Sequence, residues 1–195
     1  MVNRHLPQVL VLTAVLAVAA VLLVWLDVVG RPTGSAAARG PVAINAALTQ
    51  RMRVTLEHLP PGQHQGHGGH VGTSGQPSPL VCGTRVYGYE PADAATVEDV
   101  VTVYGFHMCA LAEPSRSWNW AMKLVAPLVM QLDTRPPTLQ IAESSNGVSY
   151  RDRVKQLFPV RYQKSAFEQA LEPDELAELR RRYEAVAGPV TQPTG

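Results

Sequence analysis

The chain has 195 residues, with 17 Lys/Arg against 16 Asp/Glu and a formal net charge of +1 at pH 7. That length holds one sizeable core and not two, once flanking segments are set aside. The stretch from Leu80 to Ala187 carries 12 Lys/Arg and 14 Asp/Glu, so it offers no broad phosphate-binding surface, and nucleic acid is not an expected partner.

Leu6 to Leu26 is a run of 21 uncharged residues closed by Asp27. As a helix it measures about 31 Å, close to the hydrocarbon thickness of a bilayer. Residues 1–29 therefore read as a short tail and a single N-terminal transmembrane helix, with the lipid bilayer as the first expected partner. The apolar core is longer than that of a secretory signal, and Ser35-Ala36-Ala37-Ala38 begins nine positions past Leu26. An uncleaved anchor is preferred to a cleaved signal. Arg4 and the amine on one side balance Arg31 and Arg39 on the other, so counting positive charge does not choose an orientation. A short tail before a leading apolar segment favours a cytoplasmic N-terminus, which places the C-terminal domain on the extracytoplasmic side of the cell membrane.

Residues 30–40 read as a spacer. Pro41 then opens a helix over 41–59, in which Ile44, Leu48, Met52, Leu56 and Leu59 recur at helical spacing before Pro60-Pro61 stops it. This narrow stripe suits packing on the domain, or pairing with a second copy. Residues 60–79 are rich in Gly, Pro and His and cannot assemble a core, so they read as linker. The globular domain is expected over 80–187, followed by a tail at 188–195.

Leu80 to Tyr89 is a strand candidate. Next, Thr96 with Asp99 forms a capping box, and Val97, Val100, Val101, Tyr104, Met108 and Leu111 share one face of a predicted helix, flanked by Gly105, Cys109 and Ala112. Trp118 to Val125 alternates as a strand interrupted by Pro127. Leu128–Leu132 and Thr138–Ala142 read as a hairpin across Asp133-Thr134-Arg135-Pro136-Pro137. Ser149 with Asp152 caps a short helix ending at Phe158-Pro159, and Pro173 opens a last helix stopped by Gly188-Pro189. Strands and helices do not alternate strictly. The expected fold is α+β, a small antiparallel sheet covered on one face by helices and preceded by the transmembrane helix.

Cys82 and Cys109 are the only cysteines. An even count beside an export segment predicts a disulfide, whose loop closure is worth about 3.5 kcal/mol. Trp118 and Trp120, two apart on the predicted strand, would share a face. Buried, they are core; exposed, they form a ligand platform for a sugar, a peptide or a membrane surface, and Tyr87 and Tyr89 repeat the geometry. His64, His67 and His70 recur every third residue, a spacing able to gather weakly bound Zn, Cu or Ni, although a plain solvated linker is the preferred reading; no other cofactor is expected. His107 is the one histidine of the predicted domain and reads as structural, which leaves a histidine-based hydrolase no base. Glu113, Asp133 and Glu143 are candidate carboxylates with nothing to bring any two together. The basic cluster Arg151, Arg153, Lys155, Arg161 and Lys164 reads as a solvated helix face, or as a site for an anionic lipid or polymer.

The chain is thus expected to be a single-pass membrane protein with a non-catalytic, extracytoplasmic domain. That domain would act as an interaction or assembly module for a protein or envelope partner. Two alternatives stand beside it. One is an exported carboxylate-dependent enzyme or ligand binder with an aromatic cleft, and the other is weak metal capture by the His-rich linker.

Overall fold

The computed structural model describes residues 40–58, 78–145 and 147–189. The chain divides into two units, 1–37 and 38–195, and every described residue lies in the second. The predicted span Leu6–Leu26, nearly all of the spacer and almost the whole linker lie outside the described residues. Among those that are described, no helix is long and apolar enough to cross a membrane.

In chain order the elements are α1 (Pro41–His58), β1 (Leu80–Glu90), β2 (Thr102–Leu111), β3 (Lys123–Gln131), β4 (Thr138–Ile141), α2 (Tyr150–Leu157), α3 (Val160–Glu168) and α4 (Pro173–Ala187), with single 3-10 turns at Val97–Asp99 and Trp118–Trp120. The four strands form one antiparallel meander in the order β1-β2-β3-β4. The α+β class and the antiparallel sheet are as expected from the sequence.

The predicted helix after Thr96 is not one. Its capping box exists, with the Thr96 N–H donating to Asp99 Oδ2 at 3.0 Å, but it closes only the turn Val97–Asp99. The chain then extends into β2, paired with β1 on one side and β3 on the other. All of β2 is buried except the half-buried Met108. A central strand covered on both faces loses the alternation that marks a half-exposed strand and reads as a continuous apolar run. Val100, Val101, Val103 and Tyr104, β-branched or aromatic, favour the extended form.

The register shows which residues face which layer. Val103, Gly105, His107 and Cys109 of β2 stand opposite Met130, Leu128, Ala126 and Leu124 of β3, and this face packs on Ile44, Leu48, Met52 and Leu56 of α1. The other face, with Tyr104 and Val129, packs on Val154, Phe158 and Ala166 of α2 and α3, while Val81 and Ala110 pack on Leu179 and Tyr183 of α4. Helices therefore cover both faces of the sheet, not one. The four α1 side chains are 0–1% exposed. At about 1.5–3 kcal/mol for each fully buried side chain, α1 belongs to the core and is not a lever hung beside it.

Close approach on the two faces depends on absent side chains. A Cβ at Gly88 would strike the Tyr162 ring of α3, one at Gly83 would lie 2.7 Å from Leu171 Cδ1, and one at Gly105 would strike the Arg85 carbonyl and crowd Met52. Pro127 does not interrupt β3. Its carbonyl accepts from the Ala142 N–H at 2.9 Å, but it has no N–H to return, and β4 ends one residue earlier at Ile141. Helix α3 is an element that the sequence pattern does not separate; Pro159, which ends the predicted helix, is its N-cap.

Candidate functional site

Cys82 and Cys109 are directly opposed across β1 and β2 and form a disulfide, S–S 2.05 Å, with neither residue exposed. The bridge joins two strands, whereas the sequence suggested a strand and a helix. Cys82 lies on the outer strand, and its backbone is satisfied by side chains from two helices. Its N–H donates to Glu57 Oε1 of α1 at 2.9 Å, and its carbonyl accepts from Arg182 Nη1 of α4 at 2.8 Å. Glu57 and Arg182 also pair with each other. This clamp closes the exposed strand edge at that point, where a bare edge invites pairing with another chain. No sequence signal links two residues 125 positions apart.

The two tryptophans do not lie on a strand. Trp118–Trp120 is a 3-10 turn ahead of β3, and its indoles go to different places. Trp118 packs edge-on against Tyr183, ring centroids 5.3 Å apart. Lys123 Nζ lies 4.5 Å from the centre of the Trp118 ring and donates to the carbonyls of Trp118 and Ala121 at 2.6 and 3.2 Å. Burial lowers the Lys123 pKa. Tyr183, wholly buried on α4, donates its hydroxyl to the Arg116 carbonyl at 2.9 Å, and burial raises its pKa. The turn is thus fixed from beneath by a ring, a cation and a helix.

Trp120, on the same turn, is 78% exposed, followed by Met122 at 53% and Val125 at 47%. Beside the turn, a cleft of about 540 Å³ runs between Arg116–Asn119 and the last turns of α4, with Trp118, Asn119, Arg180 and Glu184 in its wall. Its two arginines are matched by carboxylates: Arg180 Nε donates to Glu184 Oε1 at 2.7 Å, and Arg116 pairs with Glu113. The cleft combines an indole with balanced polar groups and has no net charge to favour an ion.

Tyr87 and Tyr89 are not part of this surface. The register shift between Val86 and Gly88 sends them to opposite faces. Tyr89 joins the α1 core, while Tyr87 packs near Phe158 and donates to the Gln169 carbonyl at 2.6 Å. Burial raises the Tyr87 pKa strongly. The four aromatics do not make one platform.

His107 is wholly buried on the α1 side, opposite Thr84 and Ala126. Glu113 lies beside the cleft, Asp133 follows β3 at the opposite end of the sheet, and Glu143 follows β4, so the three carboxylates sit in three places. His64, His67 and His70 lie outside the described residues, among which no cluster of three His, Cys, Asp or Glu side chains is placed to hold a metal ion. Comparison of the chain with protein-family models, with curated proteins and with solved structures finds no match.

Proposed function

We propose that this chain is a single-pass membrane protein whose α+β domain is a non-catalytic, extracytoplasmic interaction module, with the tryptophan turn and its cleft as the contact surface. The observation that carries the reading is Trp120, held 78% exposed on a turn braced by Lys123 and Tyr183. A solvent-facing indole on a braced turn contributes large contact area on binding, which is why Trp is enriched among binding hot spots.

Its place in the domain supports the same reading. Glu57, near the end of α1, bonds Cys82 close to the start of β1, while α1 also touches the Val97–Asp99 turn at the far end of the sheet. The chain therefore enters the domain at Pro41, at the Glu90–Thr102 end. The tryptophan turn sits at the other end, beside Leu111 and Leu80. A tether entering there leaves the contact surface pointing away from its own attachment. The disulfide is consistent with an oxidising compartment.

The test has two arms on the full chain in its native membrane. A reporter fused after Gly195 reads the topology, and activity confined to the cytoplasm would end the extracytoplasmic assignment. A photoreactive phenylalanine analogue at position 120 reads the surface. A discrete adduct is expected there and not at the equally exposed position 42 on α1; equal labelling at both would remove the turn as a contact surface.

A further inference from the structure

The geometry points to a second surface, which begins at the end of the domain where the tether enters: the outer faces of α2 and α3 dock on anionic phospholipid headgroups. This rests on the membrane-anchored reading above and names a partner for it.

The two helices form one strip. Tyr150 of α2 donates to the Ala166 carbonyl of α3 at 2.8 Å and meets Phe167 edge-on, and Arg151 lies 5.5 Å from the Phe167 ring centre. Their outward positions follow helical spacing. Arg151 and Lys155 are exposed on α2, and Val160, Lys164 and Phe167 are exposed on α3. Two of these are apolar, Val160 at 83% and Phe167 at 37% exposure. Against the cations stand Glu168, 4.0 Å from Lys164, and Asp152, which is bound up in capping through Ser149. A basic strip carrying exposed apolar side chains is the composition that lies in a headgroup layer, where aliphatic and aromatic groups enter and cations meet lipid phosphates.

Position singles out lipid over a soluble acidic partner. Arg161, at the start of α3, pairs with Glu90, and Tyr162 stacks where Gly88 leaves room. The α3 N-terminus, with Val160, is therefore at the Glu90 end of the sheet, as is the N-terminal part of α1. From Leu26 to Gly40 the sequence leaves 13 residues, which reach at most about 45 Å. A domain tied that closely meets a bilayer surface at high effective concentration, and the basic strip starts at its tied end with Val160 and runs along α3 to the contact of Gln169 with Tyr87.

The test uses lysine footprinting, since Lys123, Lys155 and Lys164 are the only lysines in the chain. The full-length protein is reconstituted in nanodiscs of phosphatidylcholine, with or without phosphatidylglycerol, and treated with a neutral acylating reagent. Lys155 and Lys164 are expected to react roughly tenfold more slowly on the anionic discs, with recovery at ~1 M salt, where the screening length is ~3 Å. Lys123 serves as the unchanged internal reference. Hydroxyl-radical oxidation of Phe167 should fall in parallel, and R151E/V160D should abolish both effects. Equal rates on the two lipids, lysine slowing without Phe167 protection, or protection by a soluble polyanion on phosphatidylcholine discs and none from phosphatidylglycerol, would each overturn the assignment. Protein recovered free of both discs would overturn the anchored reading as well. Protein inserted in both but unprotected would overturn the lipid face alone.

Discussion

Replacing Gly105 by alanine separates the helix that the Thr96–Ala112 spacing predicts from the strand that the structure shows, because the sign of the effect differs between them. In an exposed helix interior, Gly→Ala stabilises by roughly 0.8–1 kcal/mol. In the structure Gly105 lies on the central strand β2, opposite Val86 and Leu128. A Cβ there would overlap the Arg85 backbone carbonyl and come within 2.8 Å of Met52 Cε. The methionine is flexible and can yield, but the carbonyl belongs to the paired strand β1 and cannot move without disturbing the ladder. Overpacking of this kind costs about 1–3 kcal/mol, and the backbone overlap places Gly105→Ala toward the upper end. Urea unfolding of the full chain in detergent, followed by near-UV circular dichroism, should show the midpoint fall by about 1 M at a slope of about 1–3 kcal/mol/M. Adding Met52→Ala should relieve only the side-chain part of the clash, while itself costing about 2–5 kcal/mol in lost packing. A Gly105→Ala protein as stable as the parent, or more so, would refute both the strand assignment and the docking of α1 over it.

Two further outcomes follow from the same geometry. Removing the disulfide as C82A/C109A should cost about 3.5 kcal/mol through loop-closure entropy, visible as a lower urea midpoint that added reductant does not lower further. At high pH, Tyr104 should contribute a loss of stability. Burial first, and then its hydrogen bond to Glu90, push its pKa from 10.0 up to about 12. Because the folded state holds the phenol proton more tightly, this contribution is full below pH 10 and is lost as pH rises toward 12. Y104F should flatten the pH dependence in that window, and an unchanged profile would show that the hydroxyl does not carry it.

What the sequence made legible divides according to how many faces of an element are covered. Helix α1 has four apolar residues on one stripe and three exposed or half-exposed sides, so its period is visible, and its observed limits, Pro41–His58, fall where the prolines allow. The cap at Ser149 and the helix start at Pro173 are readable because their chemistry is local. Strand β2 was not readable, since burial on both faces erases its period and leaves apolar spacings that also satisfy a helix. The Trp118–Lys123 segment alternates like a strand, but its backbone is held by Lys123 reaching back to Trp118 and Ala121, a tertiary choice that alternation does not encode. The cleft was out of reach for the same reason, since its walls come from residues 116–119 and 180–189.

The clamp at Cys82 gives helix α1 a physical connection to the tryptophan turn through adjacent residues of α4. Arg182 reaches the β1 edge and Glu57 of α1, while Tyr183 turns inward to Trp118 and the Arg116 carbonyl. Displacing the end of α1 therefore acts on α4 one residue away from the group that braces the tryptophan turn. R182M tests this coupling. It leaves the Cys82 carbonyl and the Glu57 carboxylate without their charged donor, at a cost of about 1–2 kcal/mol, discounted from the 1.5–3 kcal/mol of a bond to a charged group because Arg182 and Glu57 keep 26% and 17% of their side-chain surface. The clamp's loss should also loosen Trp118 on Tyr183, read in a W25F/W120F background as a red-shifted, more easily quenched emission from the remaining indole. If stability falls while the Trp118 emission stays put, the clamp protects a strand edge and nothing more. If both change together, the helix that receives the tether and the turn that presents Trp120 share one mechanical element.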